Sequence, residues 1–356
     1  MKIPLLLFLP VFFAVNINAQ NVGIGTASPK AAFHVGADKT VLFGADTTSQ
    51  WMKFIFNGTN GALRSGFLDP IGQPVAGYYS ASFGALSIAT GDGAFAWGNN
   101  SVASGNFSLA CGFGNRVSGS HSYAIGTRNQ LGNQNSVAIG KDNLNDGTES
   151  FVIGNDLISN GYRCLLLGSH LNTGPYTGAV MLGDSDPLSQ GATSAGISNQ
   201  MVARFANGYY FMTSGNNLRT GVFMNAGGNA WLSISDKNRK ENFETLNDEN
   251  ILKKLSAITY SSWNYKGQDP TTFRLYGVMA QDFYAAFGKD SFGTIGCDTL
   301  VNPVDMQGIA FSAIKALELR TNQLNDLQTK FNEMEKLLAS LREAVVVLQN
   351  KPGKHN

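Results

Sequence analysis

"SYAIGTRNQLGNQNSVAIG", residues 122–140, is the stretch whose reading decides the fold. The block Ser122–Gly126 returns fourteen residues later as Ser136–Gly140: two large apolar residues flanking an alanine, then a glycine. Outward from it, Gly84, Gly98, Gly112, Gly154 and Gly168 keep the same spacing of fourteen, and Gly183 follows after fifteen. A second series, Gly91, Gly105, Gly119, Gly147 and Gly161, runs halfway between, with Asn133 beside Gly132 at the vacant place. Asparagine is the other residue that tolerates left-handed backbone angles. Alternation with period two makes each block before a glycine a short strand. Two strands and two turns in fourteen residues predict a narrow parallel β-solenoid. Both strand faces carry apolar groups. One can line the coil, and the other must pack on something else, most simply a neighbouring chain.

The "SYAIG…SVAIG" pattern over residues 78–185 resembles the head repeats of trimeric autotransporter adhesins. That resemblance implies a left-handed β-roll with three chains side by side. The chain departs from those adhesins at its C-terminus, which reads as no membrane barrel. Upstream, "NVGIGTASPKAAFHV" looks like the opening of many secreted tail-fibre-like proteins, and residues 20–77 read as an N-terminal β segment.

Composition narrows the function. The 356 residues carry 26 basic and 25 acidic side chains, with no basic patch, so no nucleic-acid partner is expected. The 41 glycines favour turns over long helices. Cys111, Cys164 and Cys297 lie far apart and read as small buried apolar residues rather than a disulfide framework or zinc site. No metal or cofactor is expected. Residues 1–19, with Lys2 before "IPLLLFLPVFFAV" and Ala19 at the cut, read as a signal peptide. The mature chain is then exported, secreted or held at the cell surface, with no membrane-spanning helix.

Residues 186–230 alternate aromatic and β-branched residues between Asn-Gly and Gly-Gly turns, a β-rich neck. After Ser235, "ENILKKL" has helical spacing, "AITYSSWNY" reads as a strand, and "FRLYGVMA" as a strand leading into the helix "QDFYAAFG". From Ala310 to residue 349 a heptad pairs Ala310, Leu317, Leu324, Phe331, Leu338 and Val345 with Ala313, Arg320, Leu327, Met334, Leu341 and Leu348. Such a sustained seam marks a coiled coil. The fold class expected is mainly β: a trimeric parallel β-roll with a β-rich neck, then a small α+β domain ending in a trimeric coiled coil.

"WLSISDKNRKENF", residues 231–243, admits two readings. Ser or Asp near a helix start is a common capping arrangement. Yet with "YGVMAQDF", "VNPVDMQGIAFSAIKALELR" and the terminal heptads, residues 231–309 and the coil behind them resemble the intramolecular chaperone auto-processing domain of phage endosialidases and tail fibres. The resemblance implies a homotrimer whose assembly this domain guides before a serine–lysine pair cuts it off. The family's pair falls on Ser235 and Lys240, with Asp236 beside the serine, and the bond cut is Ile234–Ser235. Its Gly-x-x-Ala-Gln-acidic motif falls on Gly277, Ala280, Gln281 and Asp282. A serine needs a base. Lysine serves as one once burial or neighbouring cations favour its neutral form, and Lys237 and Arg239 flank Lys240.

The function expected is a secreted, adhesin-like trimeric fibre binding a host, matrix or glycan surface, with no reaction beyond self-cleavage. The alternatives are a glycan-binding or glycan-cleaving spike and a fibre that keeps its chaperone domain uncut. A glycanase needs two facing carboxylates, and among Asp92, Asp142, Asp146, Glu149 and Asp156 no pair stands out.

Overall fold

The computed structural model describes residues 21–45, 51–68, 75–186, 191–215 and 220–350. The expected signal peptide lies outside them. The chain divides into two compact units, one ending at Ile234 and the other beginning at Ser235.

The first unit is a parallel β-solenoid. Each coil contributes a five-residue strand, such as Tyr123–Thr127, and a two-residue strand, such as Gln130–Leu131. The long strands stack in register at the fourteen-residue offset, with Tyr123 beside Leu109 and Val137, and Gly126 beside Gly112 and Gly140. They build one sheet, and the short strands build a second, eight-stranded one. Beyond the strict spacing the ladders continue through Thr193–Ser194 and Met201–Arg204. At the other end the hairpin Trp51–Asn57 and Ala62–Leu68 joins the long-strand sheet, pairing in parallel with Ala81–Ala85. Three antiparallel strands follow the solenoid: Gly208–Met212, Gly221–Asn225 and Leu232–Ser233.

The smaller face of each long strand turns inward. Ala96, Ala110, Ala124 and Ala138 are fully buried, and in later coils Val152, Leu166 and Met181 take their place. The large residues point outward: Trp97 is 57% exposed, Tyr123 and Ile125 42% each, and Phe151 48%. The aromatic side chains of the long strands are thus left outside the coil. Through the in-register pairing, this outward apolar face runs across the sheet, reaching Phe54 and Phe56 on the hairpin.

Half of the interior is polar. In one coil the inward residues are Ser122, Ala124, Asn129 and Leu131, all buried. Ser122 donates to the Asn133 carbonyl at 2.8 Å and accepts from the Ser136 N–H at 3.1 Å. Asn115, Asn129 and Asn143 stack as a ladder, the Asn129 and Asn143 amide nitrogens reaching the side-chain oxygen of the asparagine one coil before, at 3.0 and 2.8 Å. The Asn129 nitrogen also lies within bonding distance of the Ile125 and Gly140 carbonyls. The ladder therefore satisfies backbone groups that a narrow coil cannot pair otherwise. Asn129→Ala is expected to lower stability by roughly 1–3 kcal/mol for each buried group it orphans, measured by thermal denaturation against wild type.

Corner residues take left-handed angles, among them Arg128, Asp142 and Asp156 on one side and His121, Asn135, Glu149 and Arg163 on the other. Stacking brings corner side chains of adjacent coils together: Arg128 pairs with Asp142 at 2.5 Å and Arg163 with Glu149 at 2.8 Å. Of the cysteines only Cys164 is buried; Cys111 on the outward face and Cys297 are half-buried, so the reading of all three as buried residues holds for Cys164 alone. Among the described residues, no helix is long and apolar enough to cross a membrane.

The second unit contains α1 (Asp248–Ala257), α2 (Ala280–Phe287) and α3 (Pro303–Gln349), with a small sheet of Ser261–Trp263 and Leu275–Gly277. Asn247 caps α1 by accepting from the Asn250 N–H at 3.0 Å, and Asn302 caps α3 with Pro303 in its first turn. A core of Ile251, Ile258, Val278, Phe287 and Ala313 joins the three helices.

The first turns of α3 belong to this core, with Ser312, Ala313 and Ala316 buried. Arg320, the one charged residue of the heptad, is occupied elsewhere: it forms a two-pronged pair with Glu249 of α1. From Leu317 onward every described residue of α3 is exposed. Its apolar seam residues are 49% to 66% exposed in the single chain, Leu317 and Leu324 marking the two ends of that range.

Candidate processing site

Ser235 opens the second unit and Asp236 caps the turn that follows. The Asp236 Oδ1 accepts from the Asn238 N–H at 2.9 Å, starting a single 3-10 turn over Lys237–Arg239. The turn closes with Arg239 N–H to the Asp236 carbonyl at 3.1 Å and Lys240 N–H to the Lys237 carbonyl at 3.2 Å. Lys240 then returns to extended angles, φ −123 and ψ 150, and its side chain doubles back. Its Nζ donates to the Ser235 Oγ at 2.7 Å. The two readings of this stretch thus describe one object. The capped turn is what brings the lysine to the serine.

The residues downstream are anchored. Glu244 accepts from the Ser291 N–H at 3.1 Å and its hydroxyl at 2.7 Å. Asp248 accepts from Ser312 Oγ and pairs with Lys315, both at 2.6 Å. The Lys315 ammonium, then the Ser312 hydroxyl, hold the Asp248 carboxyl below the usual range, and Arg320 does the same for Glu249. Sequence reasoning missed these contacts because their partners stand 47 to 71 residues apart.

Ser235 and Asp236 through Lys240 are all exposed, and Ile234 is half-buried.

The second motif lies apart from this pair. Gly277, Ala280 and Gln281 line a cavity of about 610 Å³ with Trp263, Tyr276 and Leu300, and neither Ser235 nor Lys240 is among its walls. Asp282 borders a different depression, beside Lys254 and Ala286. Of the repeat carboxylates, Asp142 and Glu149 are tied to arginines, Asp92 accepts from the Tyr78 N–H, Asp156 stands near His170, and Asp146 lines a shallow depression with Gln130 and Leu144.

No curated protein matches the chain. Residues 235–290 match the family model described as chaperone of endosialidase. The match begins at Ser235, where the second compact unit begins. The chain thus joins a β-solenoid to a C-terminal region similar to the autoproteolytic chaperone of endosialidase.

Proposed function

We propose that the protein is an exported trimeric fibre whose C-terminal domain guides assembly of the β-solenoid and then releases itself by cutting the Ile234–Ser235 bond. The observation that carries this reading is the 2.7 Å contact between Lys240 Nζ and Ser235 Oγ at the junction of the two units. Two unpartnered apolar surfaces speak for the trimer: the outward face of the long-strand sheet and the seam of α3. Exposed apolar areas of this extent mark association surfaces, and chaperone domains of this family act in trimeric fibres. Export rests on the sequence of residues 1–19, and a matrix or glycan ligand on the likeness to adhesin heads.

The chemistry is an acyl shift followed by hydrolysis. Neutral Lys240 takes the Ser235 hydroxyl proton as Oγ attacks the Ile234 carbonyl carbon. The C–N bond breaks, the proton passes to the departing nitrogen, and the new ester joins Ile234 to Ser235 Oγ. Water then hydrolyses the ester, leaving a carboxylate on Ile234 and a free hydroxyl and amine on Ser235. The neutral lysine this requires is favoured once assembly covers the exposed pair. Cutting thereby reports that assembly has occurred.

Ser235→Ala and Lys240→Ala are each expected to abolish release of the 235–356 fragment while the chain still trimerises. Denaturing gels with N-terminal sequencing of the smaller band provide the measurement. Cleavage persisting in Ser235→Ala points to an outside protease, and an uncut wild-type trimer leaves a chaperone that is retained.

A further inference from the structure

We infer that Asp236 is a positioning residue of the cleavage, holding the turn that returns Lys240 to Ser235. This rests on the reading of Ser235 and Lys240 as the self-processing pair. Its starting point is that no core holds the pair in place, since every side chain from Ser235 to Lys240 is exposed. The geometry must come from bonds made within the segment itself.

Five residues of separation do not bring two side chains together by default. On an α-helix the facing partners are three and four apart, and along a strand alternate residues share a face. Here one 3-10 turn followed by an extended residue solves the problem, and two of the three hydrogen bonds that shape the turn end on Asp236. Its carboxylate accepts the Asn238 N–H at 2.9 Å, and its carbonyl accepts the Arg239 N–H at 3.1 Å. Any residue supplies the second bond, but only a short side chain carrying an acceptor supplies the first. The other carboxylate oxygen stands 3.7 Å from Arg239 Nε. That pairing turns the guanidinium back onto the cap. The remaining charges of the segment are Lys237 and Glu241. Among the described residues, no ion pair reaches Asp236 or Lys240 from another element.

The cap and the charge separate experimentally. Asn retains the acceptor and drops the charge, whereas Ala drops both. In the full chain, Asp236→Ala is expected to cut about tenfold more slowly at every pH, the scale of a lost cap. Asp236→Asn is expected to restore the rate, because its amide oxygen keeps the acceptor for the Asn238 N–H. Hydrogen exchange of the 236–241 peptide, followed by mass spectrometry, reads the turn independently of cleavage. It should quicken in Asp236→Ala and stay slow in Asp236→Asn. Wild-type cutting by Asp236→Ala, or an Asp236→Asn variant as slow as Asp236→Ala, would overturn the inference. Should the wild-type chain itself stay whole, the self-cleavage reading falls, while unchanged exchange in Asp236→Ala would separately refute the role of the cap.

Discussion

Gly126→Val is expected to leave the solenoid unable to close around that coil, with little folded protein recovered. Gly126 sits at φ +120, a backbone region that side-chain-bearing residues rarely adopt. A Cβ there would drive into the carbonyl oxygen of Gly140, which stands directly above it in the ladder. That oxygen cannot move aside, because Gly140 is locked in the same register against Gly154 and its carbonyl also receives the Asn129 amide. The cost combines strained backbone, of order 1–3 kcal/mol, with a steric conflict that propagates to both neighbouring coils. Even Gly126→Ala should therefore be severe. Ser122→Ala, four residues away, provides the contrast. It removes the hydrogen bonds of one hydroxyl but asks nothing new of the backbone, so it should lower the melting temperature and leave the fold intact. Circular dichroism and thermal denaturation of the three variants rank them. Equal melting of Gly126→Val and wild type would disprove the register.

Leu324→Asp is expected to abolish both the trimer and the released fragment. Leu324 is 66% exposed in the single chain and sits on the bare part of α3, beyond the last turn that packs on α1. Within a three-stranded seam, three carboxylates would be forced together away from water, a cost no pairing offsets. Placing the charge at Ala313 instead tests something different, since Ala313 is buried against its own domain. Light scattering combined with the gel assay distinguishes the outcomes. An assembled, uncut Leu324→Asp chain would separate cleavage from assembly, and a cut monomer would show that the lysine needs no partner chain.

Much of this was legible in the residues because the decisive signals are periodic. The glycine spacing determines which strands stack, and the heptad identifies the long helix. Which strand face lines the coil was harder to read, since the sequence offers Ala124 and Ile125 without indicating the room inside. The asparagine ladder was overlooked although Asn115, Asn129 and Asn143 recur at the repeat spacing. Each sits three residues after a glycine, where asparagine passes for a turn former. Arg320 is the one charged residue of the seam, and its partner Glu249, 71 residues away, leaves no mark in the heptad. The serine–lysine pair could be identified only through resemblance, because five-residue spacing matches no regular element. Its explanation lies in a turn too short to leave a periodic trace.

The fixed fourteen-residue offset has a consequence for how such a body can vary in length. Each coil bonds to the one before and the one after through the same positions, and its interior closes on itself coil by coil. Removing or duplicating a coil in phase leaves every remaining interface with a partner of the same kind, at about 4.8 Å of rise for each. A change of any other length must be absorbed between the long strands, as the fifteen-residue step to Val180 and the twenty-one-residue step to Met201 are, or it puts glycines opposite side chains. The gene for such a protein is thus free to lengthen or shorten its reach in quanta of fourteen codons, with any odd length confined to a corner.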